Sequence, residues 1–270
     1  MLFMLLTHIC TILKANATRM IPLDEPWTNR TLQIHEISNE FLPATNHPIL
    51  WVDETGNMIY TFAGDASEPN TTYQSAQQYF KLSSDLPNGL TWSTANPAND
   101  KLFANLRKPS RSASTVCNGV GYALGGYGSA GADNYFAQDD NSSARIAVPG
   151  LLTYNFSTRV WANESIRAPF AAGTNPFGGD LNDHYPSGGY AVCLPDVGDA
   201  WVVMFFGGRA YSGDGREKKP MPFSHMLFYD VARKQFRWQD TTGAESYGLP
   251  RARRDGCATI AKGKNGTYEV

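Results

Sequence analysis

With 270 residues, 42% of them hydrophobic, the chain can bury a sizeable core and is no disordered tail. Its 23 basic and 25 acidic residues leave a formal net charge of -2, which excludes the electrostatic footprint of a nucleic-acid binder. The 25 glycines, 16 prolines and 12% aromatics predict an all-β chain of many short strands joined by turns.

Residues 1–17 form an apolar leader. Met1 to Leu13 is interrupted only by Thr7, His8 and Thr11, and Ala15-Asn16-Ala17 offers a small-x-small cleavage pattern, so a signal peptide and a truncated blade are both open readings. No later stretch is long and apolar enough to span a bilayer, and any anchor is expected outside this chain.

Beyond the leader the chain repeats. Asn57 to Gly64, Gly119 to Gly126 and Ala200 to Gly208 are strand-like segments ending in small residues, each followed by a long polar loop. A second alternating segment then precedes a tryptophan: Tyr79 to Lys81 before Trp92, Leu151 to Asn155 before Trp161, and Met226 to Val231 before Trp238. Arg19 to Asp24 before Trp27 matches the same half-unit, and the tryptophans step by about 65 to 77 residues. Each unit reads as a four-stranded blade. Its inner hairpin turns at Asn118-Gly119, near Asp196 to Asp199 or at Asn265-Gly266, where Asn-Gly accepts the positive φ that matches strand twist. Its diglycine permits close backbone approach, and its tryptophan is a plate packed between blades.

On these motifs, together with Pro109-Ser-Arg111 and Pro250 to Arg254 just before a first strand, the chain resembles the kelch-repeat family, fungal secreted or cell-surface members above all. The resemblance implies a kelch-type β-propeller of antiparallel blades. It is expected to be incomplete, with blades near 47–108, 109–182 and 183–249, and partial blades at 18–46 and 250–270. Two departures stand out: Ala63-Gly64 replaces the first diglycine, and Tyr185 to Gly189 stands where the third arginine belongs. The alternative fold is a β-sandwich with scattered Gly-Gly turns.

In a propeller, the two-to-three and four-to-one loops open on one face. Here they are long: Asp65 to Gln78, Tyr127 to Pro149, Arg209 to Phe223, Ser93 to Pro109 and Ala162 to Pro186. Tyr127, Tyr135, Phe136, Phe170, Phe177, Tyr185 and Tyr211 lie in them and are the candidate binding residues, either as contact anchors or as the packing of their own loops.

The expected function is non-enzymatic binding of a protein or glycan, with no cofactor and no metal. The alternative is a propeller enzyme whose catalytic residues lie partly outside the chain. A copper-radical oxidase needs convergent histidines and tyrosines, yet His8, His35, His47, His184 and His225 are scattered. A sialidase-like glycosidase is suggested only by Ser83 to Trp92, which a three-to-four hairpin explains more simply.

Acceptor sequences for N-glycosylation at Asn16, Asn29, Asn70, Asn141, Asn155, Asn163 and Asn265 point to an extracellular or cell-surface location. Of the four cysteines, Cys117, Cys193 and Cys257 fall in first strands. They are expected as buried free thiols, because equivalent positions of adjacent blades usually stand too far apart for a disulfide; one pair bridged by local irregularity in an oxidising compartment is the open alternative.

Overall fold

The computed structural model describes residues 17–20, 26, 28, 30–32, 34–38, 45–66, 79–84, 90–129, 146–148, 150–164, 184–197, 200–212, 218–243 and 248–270. The described residues open with a strand pair, β1 (Ala17–Met20) and β2 (His35–Ser38), and a short strand, β3 (Thr45–Asn46). The first blade follows as β4 (Ile49–Asp53), β5 (Met58–Phe62), β7 (Tyr79–Ser84) and β8 (Leu90–Ala95). The short β6 (Asp65–Ala66) after β5 pairs back with β3. Helix α1 (Asp100–Asn105) lies in the next connection. The second blade is β9 (Ala113–Cys117), β10 (Val120–Leu124), β13 (Leu151–Asn155) and β14 (Val160–Glu164), with the ribbon β11 (Tyr127–Gly128) and β12 (Ile146–Ala147) inside its long loop. After β15 (His184–Ser187) the third blade is β16 (Tyr190–Val197), β17 (Ala200–Phe206), β20 (His225–Asp230) and β21 (Gln235–Asp240). β18 (Arg209–Ser212) and β19 (Lys218–Pro220) join β15 in a small sheet. A final pair, β22 (Ala261–Lys262) and β23 (Tyr268–Glu269), begins a fourth unit.

Within each blade the four main strands pair in chain order, antiparallel throughout, as short-loop connectivity favours. The three repeated segments lie in β5, β10 and β17, and Trp92, Trp161 and Trp238 lie in the fourth strands β8, β14 and β21; Asp24 and Trp27 lie outside the described residues. The β9–β10 turn shows the local cause: Asn118 at φ 50° and Gly119 at φ 72° occupy both central positions of a two-residue turn whose twist suits the strands. The segment Ser83 to Trp92 lies in a three-to-four hairpin, with Ser84 opposite Leu90 and Leu82 opposite Trp92.

Blades stack through the two faces of each sheet, because successive side chains on a strand point to opposite sides. On β10, Ala123 joins Leu152, Tyr154 and Trp161 against Trp51, Tyr60 and Phe62 of the first blade. Its neighbours Tyr122 and Leu124 turn the other way, toward Val203, Phe205, Leu227 and Tyr229 of the third. A third layer sets Val192, Leu194, Met204 and Phe206 against Ala258, Ile260 and Tyr268 of the fourth unit. Trp161 is the expected plate: fully buried, it lies 4.6 Å from Phe62, 4.8 Å from Tyr154 and 5.3 Å from Phe103, ring centre to ring centre. Truncating such a side chain costs about 3–5 kcal/mol. Trp51 lies over Gly121, where a Cβ would come within 2.4 Å of its ring, and its indole N–H donates to the Tyr122 carbonyl at 3.2 Å. Gly121 is thus fixed by close approach of the neighbouring blade. Burial raises the phenol pKa of Tyr60 and of Tyr122 to about 12, and that of Tyr229 higher still.

The first strands β4, β9 and β16 are neighbours, with β9 between the other two. Their closeness corrects the thiol expectation. Cys117 and Cys193 form a disulfide, with Cα atoms 5.3 Å apart. Innermost strands converge as blades radiate, and here β9 and β16 run close enough to bridge. Cys257 is also corrected: it is an exposed free thiol that precedes β22 instead of a buried one within a strand. Cys10 lies outside the described residues. Among the described residues, no helix is long and apolar enough to cross a membrane.

Candidate functional site

On the long-loop side, two residues precede each first strand in a repeating geometry. His47, Arg111 and Gly188 stand just before β4, β9 and β16, and Asp255 opens the fourth unit, all at positive φ: 54°, 59°, 65° and 54°. The Arg111 amide donates to the His47 carbonyl (3.3 Å), the Gly188 amide to Arg111 (2.7 Å), and the Asp255 amide to Gly188 (2.9 Å). These bonds make a backbone belt linking successive blades. A left-handed non-glycine residue costs about 1–2 kcal/mol, so its recurrence here reflects over-determination by the belt.

A second series runs beside it. Gly64, Gly126 and Gly208, the last residues of the small-residue pairs, donate their amides to the carbonyls of Pro109, Pro186 and Arg253 at 3.3, 2.7 and 2.7 Å. Ala63 holds φ 61°, matching 63° at both Gly125 and Gly207, so the degenerate first pair keeps the backbone of the other two.

Side chains then tie the rim together. The Arg111 guanidinium donates to the Asp255 carboxylate at 2.7 Å, joining the second blade to the fourth unit across the third; Arg254 reaches the same oxygen at 3.3 Å. The missing third arginine explains itself here, since a Cβ on Gly188 would lie 2.8 Å from Asp255 Oδ1. Closer to the first blade, the Asp65 carboxylate accepts from the Tyr127 hydroxyl at 2.8 Å and the Ser129 hydroxyl at 2.6 Å. Asp65, Tyr127 and Arg209 each follow the small-residue pair of their own blade, so one blade's carboxylate is held by the next blade's phenol. The Tyr190 phenol, packed against Gly207 and Gly256, has its pKa raised by burial, with Arg253 opposing the shift.

The rim is therefore a rigid polar frame whose charged groups bond mainly to one another. Among the described residues, no group of three or more His, Cys, Asp or Glu side chains could hold a metal.

The candidate binding residues fall differently. Tyr127 is buried, 1% exposed, and serves the Asp65 bond instead of facing a ligand. Tyr185 and Tyr211 are cross-strand partners in the β15–β18 pair. Tyr135, Phe136, Phe170 and Phe177 lie outside the described residues. Of the glycosylation candidates, Asn163 and Asn265 are exposed and Asn155 is half-buried; Asn16, Asn29, Asn70 and Asn141 lie outside the described residues. Sequence reading missed Asp65, Ser129 and Asp255 as rim residues. A positional signal was available for Asp65, the residue after its small pair; Ser129 and Asp255 carry none.

No family model matches the chain, and no curated protein matches it. Among solved structures, that of YjhT superposes with a TM-score of 0.50 at 12% identity, over 82% of this chain and 52% of that one. The chain thus spans about half the length of this neighbour. At such low identity the likeness speaks to fold alone. Taken with three in-order four-stranded sheets whose first strands lie side by side, it gives an all-β, propeller-type fold.

Proposed function

We propose that the chain is a non-enzymatic binding module of kelch type, acting outside the cell or on its surface, whose long-loop face takes a protein or glycan. The observation that carries this reading is the frame beneath those loops. A backbone belt, the Arg111–Asp255 pair and the Asp65–Tyr127–Ser129 cluster hold neighbouring loop stems in fixed relation. Rigid stems supporting long loops suit recognition, because little ordering entropy remains to be lost on binding. Rim groups already bonded to each other suit a platform better than a set of catalytic acids and bases.

The test is a glycan array and a panel of secreted proteins, probed with the full chain and with a variant whose residues 67–78 and 130–145 are replaced by Gly/Ser linkers of equal length. The reading expects a saturable ligand that the variant loses while keeping the melting transition of the parent. Undiminished binding by the variant, or turnover of a bound glycan, would overturn it.

A further inference from the structure

One corner of the rim carries more positive charge than its frame uses. Arg111 and Arg254 share the Asp255 carboxylate. Three more arginines stand beside them: Arg251 and Arg253, exposed on the approach to the fourth unit, and Arg209, half-buried at the start of β18. Backbone bonds fix their closeness. The Gly208 amide donates to the Arg253 carbonyl at 2.7 Å, the Asp255 amide to the Gly188 carbonyl at 2.9 Å, and Arg209 stands opposite Ser187 in the β15–β18 pair. Among the described residues, Asp255 is the one carboxylate bonded to this group of five guanidinia. The chain as a whole has a formal net charge of -2, so the excess of cations is local, and a local excess concentrates anionic ligands at that corner.

A neutral polar group completes the corner. The half-buried Tyr190 ring stacks on Phe206, and a Cβ at Gly207 or at Gly256 would come within 2.9 Å of its two edges, so both glycines leave the ring its place. Arg253 lies near enough to its phenol to oppose the rise in pKa that burial causes. A guanidinium fork matches a carboxylate or a sulfate with two parallel bonds, and a phenol both donates to and accepts from a hydroxyl. Anions and hydroxyls presented together on a rigid ring are the chemistry of an acidic sugar. An acidic peptide offers its carboxylates on mobile side chains, whose ordering would cost affinity at a frame already fixed.

We propose that this corner of the rim is a subsite for an acidic glycan, one bearing uronate carboxylates or sulfate esters, read by Arg251, Arg253 and Arg209 beside the Tyr190 phenol. This rests on the binding-module reading above and gives its ligand a charge. Arg111 and Arg254 hold the frame through Asp255 and leave the other three guanidinia to the ligand.

The experiment titrates the full chain, at physiological ionic strength, against immobilised polygalacturonate and chondroitin sulfate, which separate carboxylate from sulfate recognition, with dextran as the neutral glycan and polyglutamate as the acidic peptide. Saturable binding to an acidic glycan and none to dextran is expected, weakening as salt rises. Arg251→Gln/Arg253→Gln should weaken it about tenfold or more. Arg237→Gln/Lys264→Gln removes the same charge from exposed positions on β21 and in the β22–β23 turn and should leave it unchanged. Arg209→Gln provides the same reading should the first double variant melt early. Equal losses in the two double variants would reduce the effect to net charge and overturn the subsite, and tighter binding to polyglutamate would overturn the choice of glycan. A different ligand from the glycan array or protein panel, held equally by parent and arginine variants, would overturn the subsite and leave the binding-module reading standing. A chain that binds nothing in the array, the panel or this titration would overturn both.

Discussion

Removing the Cys117–Cys193 bridge should produce a large loss of stability. The two cysteines lie 76 residues apart in sequence, and cross-linking a loop of about 77 residues removes some 15 cal/mol/K of denatured-chain entropy, or about 4.5 kcal/mol at room temperature. Whole domains are stable by only about 5–15 kcal/mol, so the bridge carries a substantial share. Cys117 is also buried in the layer between the second and third blades, so a serine there adds an uncompensated polar group to the cost. The assay is a urea melt of the parent with and without a thiol reductant, beside Cys117→Ala/Cys193→Ala. Reductant should lower the parent midpoint strongly and leave the double variant unmoved. Thiol counting on the denatured, unreduced chain should label Cys257 and leave Cys117 and Cys193 unlabelled. Four reactive thiols, or a parent melt indifferent to reductant, would refute the reasoning.

Ala63→Gly should stabilise by about 0.5 kcal/mol, the relief of a left-handed alanine less the entropy that glycine returns to the unfolded chain, whereas Gly125→Ala should cost more than about 2 kcal/mol, since its Cβ would lie 2.3 Å from the Pro186 carbonyl oxygen; paired urea melts check both. Arg111→Gln should cost about 0.5–1 kcal/mol and speed amide exchange from Asp255 through Tyr268, because Asp255 loses one of its two charged donors; exchange mass spectrometry with no change over that segment would sink this. Stability should also fall between pH 10 and about 12. There the unfolded chain releases phenol protons that buried Tyr60 and Tyr122 retain when folded, so the native state binds more protons and loses ground as pH rises. Tyrosinate absorbance should accordingly rise in step with unfolding.

The repeat was legible because it rests on residues whose conformational demands are local. Asn118-Gly119 needs little besides its own backbone to turn, and the three strand-two segments carry their alternation openly. What hid from sequence depends on relations between blades. The disulfide joins Cys117 at the end of β9 to Cys193 in the middle of β16, an offset visible only once the strands stand side by side. Asp255 answers Arg111 across a glycine more than sixty residues from either, and no spacing rule links the three. Tyr127 drew notice as a loop aromatic, yet its bond to Asp65 of the preceding blade takes it inside. The strands of two to four residues and the six-residue α1 inside the long loops were also missed, since elements this short leave no periodicity to detect.

The central claim is that successive sheets stand as neighbouring blades, and zero-length carbodiimide cross-linking tests it most directly. Lys234, in the β20–β21 turn of the third blade, lies 2.9 Å from Glu164 on the outer strand of the second, and Lys262 of the fourth unit lies 3.0 Å from Asp196 at the β16–β17 turn. Mass spectrometry of the digested, cross-linked monomer should find isopeptide bonds Lys234–Glu164 and Lys262–Asp196. Their absence, together with cross-links joining residues this arrangement holds far apart, would contradict the propeller and favour sheets packed face to face.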